Sequence, residues 1–410
     1  MQFKNLLTLL PFVVVAQAGP FSKRADCGNG RTAEHEQCCV WYDVLDDLQT
    51  DIFVKEPCGK TVHESLRLSF HDAIGYSPRL FSQGEFGGGG ADGSIIQHAN
   101  VEMRYGGNRG LEEIIERQTP LGPRYNVAYG DLIQFAAAVG ITQCPGAPRL
   151  EFLAGRNKTS QASPDLLPSP ADSPDKIFDR LGDAGFSPDE VIDLLISHTI
   201  GGQEHVDEAT PNTPFDTTPE KFDSQFFVET LLKGTVQPPN GLQPGAELPP
   251  LRGAFRLASD AALARDPRTS CRFQSYITDQ ASMQSRFRAA MSKLAVLGQN
   301  RDNLVDCSEI IPEAKTLSGK PFLPAGKSMQ DIQPACSATP FPILTAQPGR
   351  ETAVHPETLS ATLLDARALP TDLDDSEHEC DLPMFVQSGL GVAVRTKREG
   401  PKVNSSADSA

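Results

Sequence analysis

Between Lys60 and Gly75 the chain reads KTVHESLRLSFHDAIG, and Glu64, Arg67 and His71 recur at i, i+3 and i+7. On a helix that spacing puts a carboxylate, a guanidinium and an imidazole on one face. An imidazole can move a proton, and a guanidinium beside it can steady negative charge as it develops. An Arg-His pair alone is more often structural than chemical, so the segment needs company. Gly87 to Gly90 and then Ala91-Asp92-Gly93-Ser94 supply it. This glycine run has neither a P-loop signature nor a dinucleotide fingerprint. Asp72, Asp92 and Ser94 are hard oxygen donors of the kind calcium takes. A second histidine, His198, lies in Leu194-Leu195-Ile196-Ser197-His198-Thr199, where a satisfied core histidine is the usual reading. Downstream, Asp216 to Asp223 (DTTPEKFD) gathers more oxygen donors, in a spacing unlike an EF-hand loop.

Helices must position these groups. Val40, Trp41, Val44, Leu45, Leu48 and Ile52 form an apolar stripe at helical spacing, with Asp43, Asp46 and Asp47 off it. Ser187-Pro188-Asp189-Glu190 reads as an N-cap, a first-turn proline and a capping-box glutamate. The helix it opens is predicted to run through Val191, Leu194, Leu195 and His198 and to stop at Gly201-Gly202. Another helix is predicted over roughly Gln284 to Leu297, and no sustained period-2 run argues for strands. The fold class is therefore all-α with long ordered loops. Pro164 to Pro174 holds four prolines and reads as the seam between two halves, 25–170 and 171–345. Residues 346–410 read as a poorly ordered tail.

Of 410 residues, 37 are Lys or Arg and 53 Asp or Glu, a net charge of −16. That balance disfavours a phosphate backbone as partner, so no nucleic acid is expected. Lys4, the apolar run Leu6 to Ala16, and Ala16-Gln17-Ala18 make a secretory signal peptide, and Lys23-Arg24 a dibasic site ending a short pro-segment at residue 24. No other apolar stretch is long enough to span a bilayer. The expectation is a secreted protein without membrane anchorage. Nine cysteines and no CxxC pair agree with an oxidised framework, whose pairing the spacing leaves open. Asn157 and Asn404 lie in N-glycosylation sequons.

Taken together, RLSFHDAIGYSP, GGGGADGSI, QCPGAPRLEF, ISHT, FDTTPEKFDSQFFVETLLKGT and ARDPRTSCRFQS resemble, in order, the secreted fungal class II haem peroxidases. The likeness runs from about Cys27 to Cys336. CCVWYDVLDDLQT and GDAGFSPDEVIDLL are most similar to the generic, Coprinus-type branch. The resemblance implies a two-lobed fold with one haem b between distal and proximal halves. It implies reduction of hydrogen peroxide, then one-electron oxidation of donors through a ferryl porphyrin radical. His71 would be the distal base, Arg67 the charge stabiliser, and Phe70 the packing over the distal face. Glu102 and Asn108 would form the hydrogen-bond chain behind His71. His198 would ligate the iron, with Asp260 as its carboxylate partner. Two calcium ions are implied. The distal one would use Asp72, the Gly90 carbonyl, Asp92 and Ser94, and the proximal one Thr199, Asp216, Thr218, the Lys221 carbonyl and Asp223. The implied disulfides are Cys27–Cys39, Cys38–Cys307, Cys58–Cys144 and Cys271–Cys336, with Cys380 left over.

Departures from the family pattern bear on the donor. Lignin and versatile peroxidases carry a surface Trp five residues before the proximal histidine, where this chain has Asp193; its one Trp is Trp41. The manganese site needs three carboxylates, and here Glu64 and Glu204 match two positions while Lys60 holds the third. Glu64 and Glu204 could equally be solvated helix-surface charges. Gly106-Gly107 lies before Asn108, where bulkier residues could narrow access to the haem edge. The expected function is a monomeric secreted peroxidase that oxidises phenols and other small aromatic donors. The rivals are an atypical manganese peroxidase using Glu64 and Glu204, and a non-catalytic haem- and calcium-binding secreted protein. The intact Arg67-His71 pair argues against the latter, because binding alone needs only His198.

Overall fold

The stripe on the first helix is buried as its spacing predicts: Trp41, Val44, Leu48 and Ile52 face inward. Trp41 packs against Phe135 at 4.8 Å and Phe152 at 4.7 Å between ring centroids. The helix is regular over Val40–Asp47 and widens to a π-turn over Leu48–Ile52. The computed structural model describes residues 24–54, 57–238 and 241–351. The signal peptide, Cys380, Asn404 and nearly all of the 346–410 tail lie outside the described residues. No helix among the described residues is long and apolar enough to cross a membrane.

The structure is all-α, and the strands among the described residues are four antiparallel pairs of short segments. Helix Lys60–Ala73, which carries Arg67 and His71, packs chiefly on Tyr129–Ile141. The latter is buried from Gly130 to Ile141, as expected of a helix apolar nearly all round. Ser65 and Ser69 are fully buried at the contact, where small side chains let the two helices approach. Gln134 Nε2 donates to the Ser69 carbonyl at 3.3 Å.

Helix Pro188–Leu195 starts with the capping box read from its sequence: the Ser187 side chain accepts from Glu190 N, and Glu190 accepts from Ser187 N at 2.8 Å. It packs on Gln280–Leu294, and Lys293 Nζ bonds Glu190 at 2.8 Å. The helix tightens to a 3₁₀ turn over Ile196–Ile200, so His198 and Thr199 stand on a different register from the α-helix expected there. Thr199 Oγ1 is tied to the Asp223 carbonyl at 2.8 Å, which holds that turn. The described residues before and after the proline-rich stretch pack into one compact unit. Four disulfides join Cys27–Cys39, Cys38–Cys307, Cys58–Cys144 and Cys271–Cys336.

Candidate active site

His71 stands on the inner side of its helix, half-buried, and its Nδ1 lies 2.9 Å from Asn108 Oδ1. Asn108 in turn donates from Nδ2 to the Glu102 carbonyl at 2.9 Å, which fixes the orientation of its amide. Nδ1 of His71 is then the donor and Nε2 keeps its lone pair, with no hydrogen-bond partner among the described residues. The Glu102 carboxylate points elsewhere and accepts from Ser163 N at 3.0 Å. Only the main chain of Glu102 therefore supports Asn108. Burial, reinforced by Arg67, holds the His71 imidazole well below its ordinary pKa, so it stands neutral and ready to accept a proton.

Arg67 donates from Nη2 to the Gly107 carbonyl at 2.8 Å and the Arg109 carbonyl at 3.0 Å. The segment Gly107–Arg109 thus holds both the guanidinium and, through Asn108, the imidazole. Gly106 and Gly107 are exposed. Phe70 is half-buried and packs edge-on to the His71 ring. On the other half, His198 Nδ1 lies 2.8 Å from Asp260 Oδ2. Asp260 is buried at the start of helix Ala258–Arg265. Phe215 lies against the His198 ring at 5.0 Å and Phe226 edge-on at 5.8 Å. Its Nε2 also has no hydrogen-bond partner among the described residues.

The expected calcium ligands gather in two places. Buried Asp72 accepts from Gly93 N at 2.9 Å and Ile95 N at 3.4 Å, and Asp92 accepts from Ser94 N at 3.0 Å. The Gly90 carbonyl accepts from Asp92 N at 2.8 Å. Gly89 permits this turn, since a Cβ there would sit 1.8 Å from Asp92 Oδ2. Burial, and then Asp92, push the Asp72 carboxyl well up. In the second place, Thr218 N donates to Asp216 at 2.8 Å and Thr218 Oγ1 to Asp223 at 3.0 Å, while the Lys221 carbonyl accepts from Asp223 N at 3.0 Å. Burial, then Asp223 and Glu229, raise the Asp216 carboxyl well above its usual range. In both places a buried carboxylate and a half-buried one lie close together, with no cationic side chain bonded to either among the described residues, a donor set suited to a hard cation.

Glu64 corrects the surface reading: it is buried, only 6% exposed, and neither carboxylate oxygen has a hydrogen-bond partner. Burial pushes its carboxyl up to about 7. Lys60 Nζ stands 3.4 Å from Glu64, 3.2 Å from Glu204 and 3.5 Å from Glu113. Burial would lower this ammonium, and Glu64 and Glu204 outweigh it, holding it above its ordinary value. Asp193 is buried as well, bonded by the Tyr276 hydroxyl and by Arg272 Nε at 3.0 Å.

Three residues escaped the sequence reading. Glu113 reaches the Lys60 cluster from another helix. Ser163 sits beside the proline-rich seam yet bonds Glu102, Ser94 and Gly75. Glu229 is fully buried, with Oε2 bare and Oε1 accepting from Gln225 at 2.9 Å. None belongs to a local motif; only a hydrophilic residue inside an apolar helical run (FFVET) hinted at Glu229. Cys58, His63 and Cys144 also cluster, but the two sulfurs are joined in a disulfide and are not available to a metal.

Two profiles match the chain: one described as peroxidase over residues 44–279, and one described as the fungal peroxidase extension region over 282–358. The chain belongs to the fungal class II peroxidases. A peroxidase of Arthromyces ramosus is 50% identical over 324 residues, 79% of this chain and 89% of its own. Versatile peroxidase VPS1 of Pleurotus eryngii is 49% identical over 338 residues, 82% of this chain and 91% of its own. Manganese peroxidase 3 of Phlebia radiata is 48% identical over 359 residues, 87% and 99%. Identities this similar do not separate the branches. Membership makes this chain a haem peroxidase that acts on hydrogen peroxide with small reductants as donors. The residues fit the cofactor: two imidazoles each commit Nδ1 to a neighbour and leave Nε2 free, flanked by half-buried Phe70 and Phe215.

Proposed function

We propose that this peroxidase is secreted, holds two calcium ions, and oxidises phenols and other small aromatic donors one electron at a time. His198 would hold the haem iron through Nε2, with Asp260 accepting from Nδ1 and so strengthening the donation of the imidazole. The haem, when bound, supplies the electrons that cleave the O–O bond. His71 Nε2 takes a proton from hydrogen peroxide and returns it to the departing oxygen, which leaves as water. The Arg67 guanidinium lies on the same helix face and stabilises the negative charge that develops on that oxygen. Asn108 keeps the proton of His71 on Nδ1, so Nε2 is always the accepting atom. Calcium beside Asp72 and Thr199 would anchor the segments that carry His71 and His198.

One observation carries the choice of donor: the Lys60 ammonium stands among Glu64, Glu113 and Glu204. A divalent cation there would meet a fixed positive charge that already engages all three carboxylates, so Mn(II) should be a poor donor. Asp193, buried where a surface tryptophan would serve bulky non-phenolic lignin, points the same way. Export is supported by the signal-like N-terminus, the four disulfides and the exposed sequon residue Asn157. The test is steady-state turnover with hydrogen peroxide and, in turn, a phenol, Mn(II) and a non-phenolic aromatic. Efficient phenol turnover with weak use of the other two is expected. Tight, fast Mn(II) oxidation would overturn this reading in favour of an atypical manganese peroxidase.

A further inference from the structure

A second buried proton-transfer pair lies away from the two histidines. Tyr276 is fully buried, and its hydroxyl donates to the Asp193 carboxylate. Asp193 is held from its other side by Arg272, with Nε at 3.0 Å and Nη2 at 3.2 Å. A buried tyrosine needs a partner for its hydroxyl, and a carbonyl or water would serve. Here the partner is a carboxylate fixed by a guanidinium, which can accept a proton without moving. The ring of Tyr276 opens onto an unbroken aromatic path. Phe227 lies 5.3 Å from it, Phe226 5.3 Å from Phe227, and His198 5.8 Å from Phe226. Phe273 fills the angle, 4.7 Å from Phe227 and 5.8 Å from Phe226. The other tyrosine–aspartate pair, Tyr125 to Asp47 at 2.7 Å, shows no such ring path among the described residues.

We propose that Tyr276 is a proton-coupled radical site, which takes up one oxidising equivalent when peroxide has reacted and no donor is at hand. One electron leaves the Tyr276 ring through Phe227 and Phe226 toward His198, and the phenolic proton moves to Asp193. The O–H bond of Tyr276 breaks and an O–H bond on Asp193 forms; no heavy atom changes place. Hydrogen peroxide is the two-electron oxidant: Tyr276 makes good one of the two electrons, and the haem, when bound, would supply the other. When a donor later returns an electron by the same route, the proton goes back to Tyr276. Proton transfer is needed because burial, and then Asp193, hold the Tyr276 phenol far above its ordinary pKa, so no phenolate is present to oxidise. Loss of the electron alone would leave a positive charge in the apolar interior.

The inference rests on the peroxidase reaction, so the experiment reads the two separately. The holoenzyme receives one equivalent of hydrogen peroxide without donor; the Soret band reports reaction with peroxide, and freeze-quenched electron paramagnetic resonance reports radicals. A tyrosine signal that narrows on ring deuteration is expected, lost in Tyr276→Phe and retained in Tyr125→Phe. Tyr276→Phe removes one hydroxyl and keeps the packing. Formation should slow in D₂O, and Asp193→Asn should lower the yield several-fold. An unchanged Soret band on adding peroxide would sink the peroxidase reading itself. A normal Soret change with no tyrosine signal, or with a signal that survives in Tyr276→Phe, overturns this inference. A yield unchanged in Asp193→Asn, or formation no slower in D₂O, overturns the role given to Asp193.

Discussion

His71 is the residue on which the proposed reaction most depends, and it is half-buried, held well below its ordinary pKa, with one nitrogen committed to Asn108. His71→Ala should leave the haem spectrum in place and slow the reaction with peroxide by ~10²–10⁴-fold, measured by stopped flow. A rate unchanged from the parent would refute the assignment. Lys60 makes the converse case, a residue whose charge forbids something. Lys60→Glu puts a carboxylate in place of the ammonium beside Glu64, Glu113 and Glu204. Half-saturating Mn(II) should fall by about tenfold or more, because a like charge at contact distance is worth ~1 kcal/mol in water and several at lower dielectric. Phenol turnover should barely change. His71, Arg67 and the Lys60-Glu64 relation were legible in the sequence because one helix carries all four at readable spacing. Ser163, Glu113 and Glu229 were not, because each reaches its partners across the fold from an element with no local signature.

The loops after the two key helices hold more of the chemistry than their composition suggests. Asp72 follows His71 and Thr199 follows His198, so each helix end is tied to a loop of buried oxygen donors. Prolonged chelation should bleach activity and shift the iron toward a six-coordinate, low-spin spectrum as the His71 helix relaxes onto it. Metal analysis must show both ions gone, and a spectrum that survives their loss would refute the anchoring role. Gly89→Ala tests one loop alone: its Cβ would press on Asp92 at 1.8 Å, so Asp92 must turn away. Faster calcium loss from that site, with the other retained, is the expected result. Helix starts were legible where side chains cap them, as at Ser187. Helix ends were less so. The 3₁₀ turn at Ile196–Ile200 follows from the tether of Thr199 to Asp223, a contact 24 residues away that no local pattern encodes.

For the whole molecule, the all-α class was readable from helical stripes and missing alternation, whereas the disulfide pairing needed the family likeness. Cys38–Cys307 closes the longest loop, 269 residues apart in sequence. Replacing both cysteines by serine should cost about 2–5 kcal/mol of stability, read as a lowered unfolding midpoint. That same bond encloses His71, Asn108, His198 and Asp260 within one covalent ring. A protease that cuts once between residues 39 and 306 therefore releases nothing. Both fragments stay tethered, and the damaged enzyme runs as one band until a reductant is added. If the protein is exported as proposed, to where hydrolases are abundant and no chaperone attends, a nicked molecule would keep its histidines together and go on turning over.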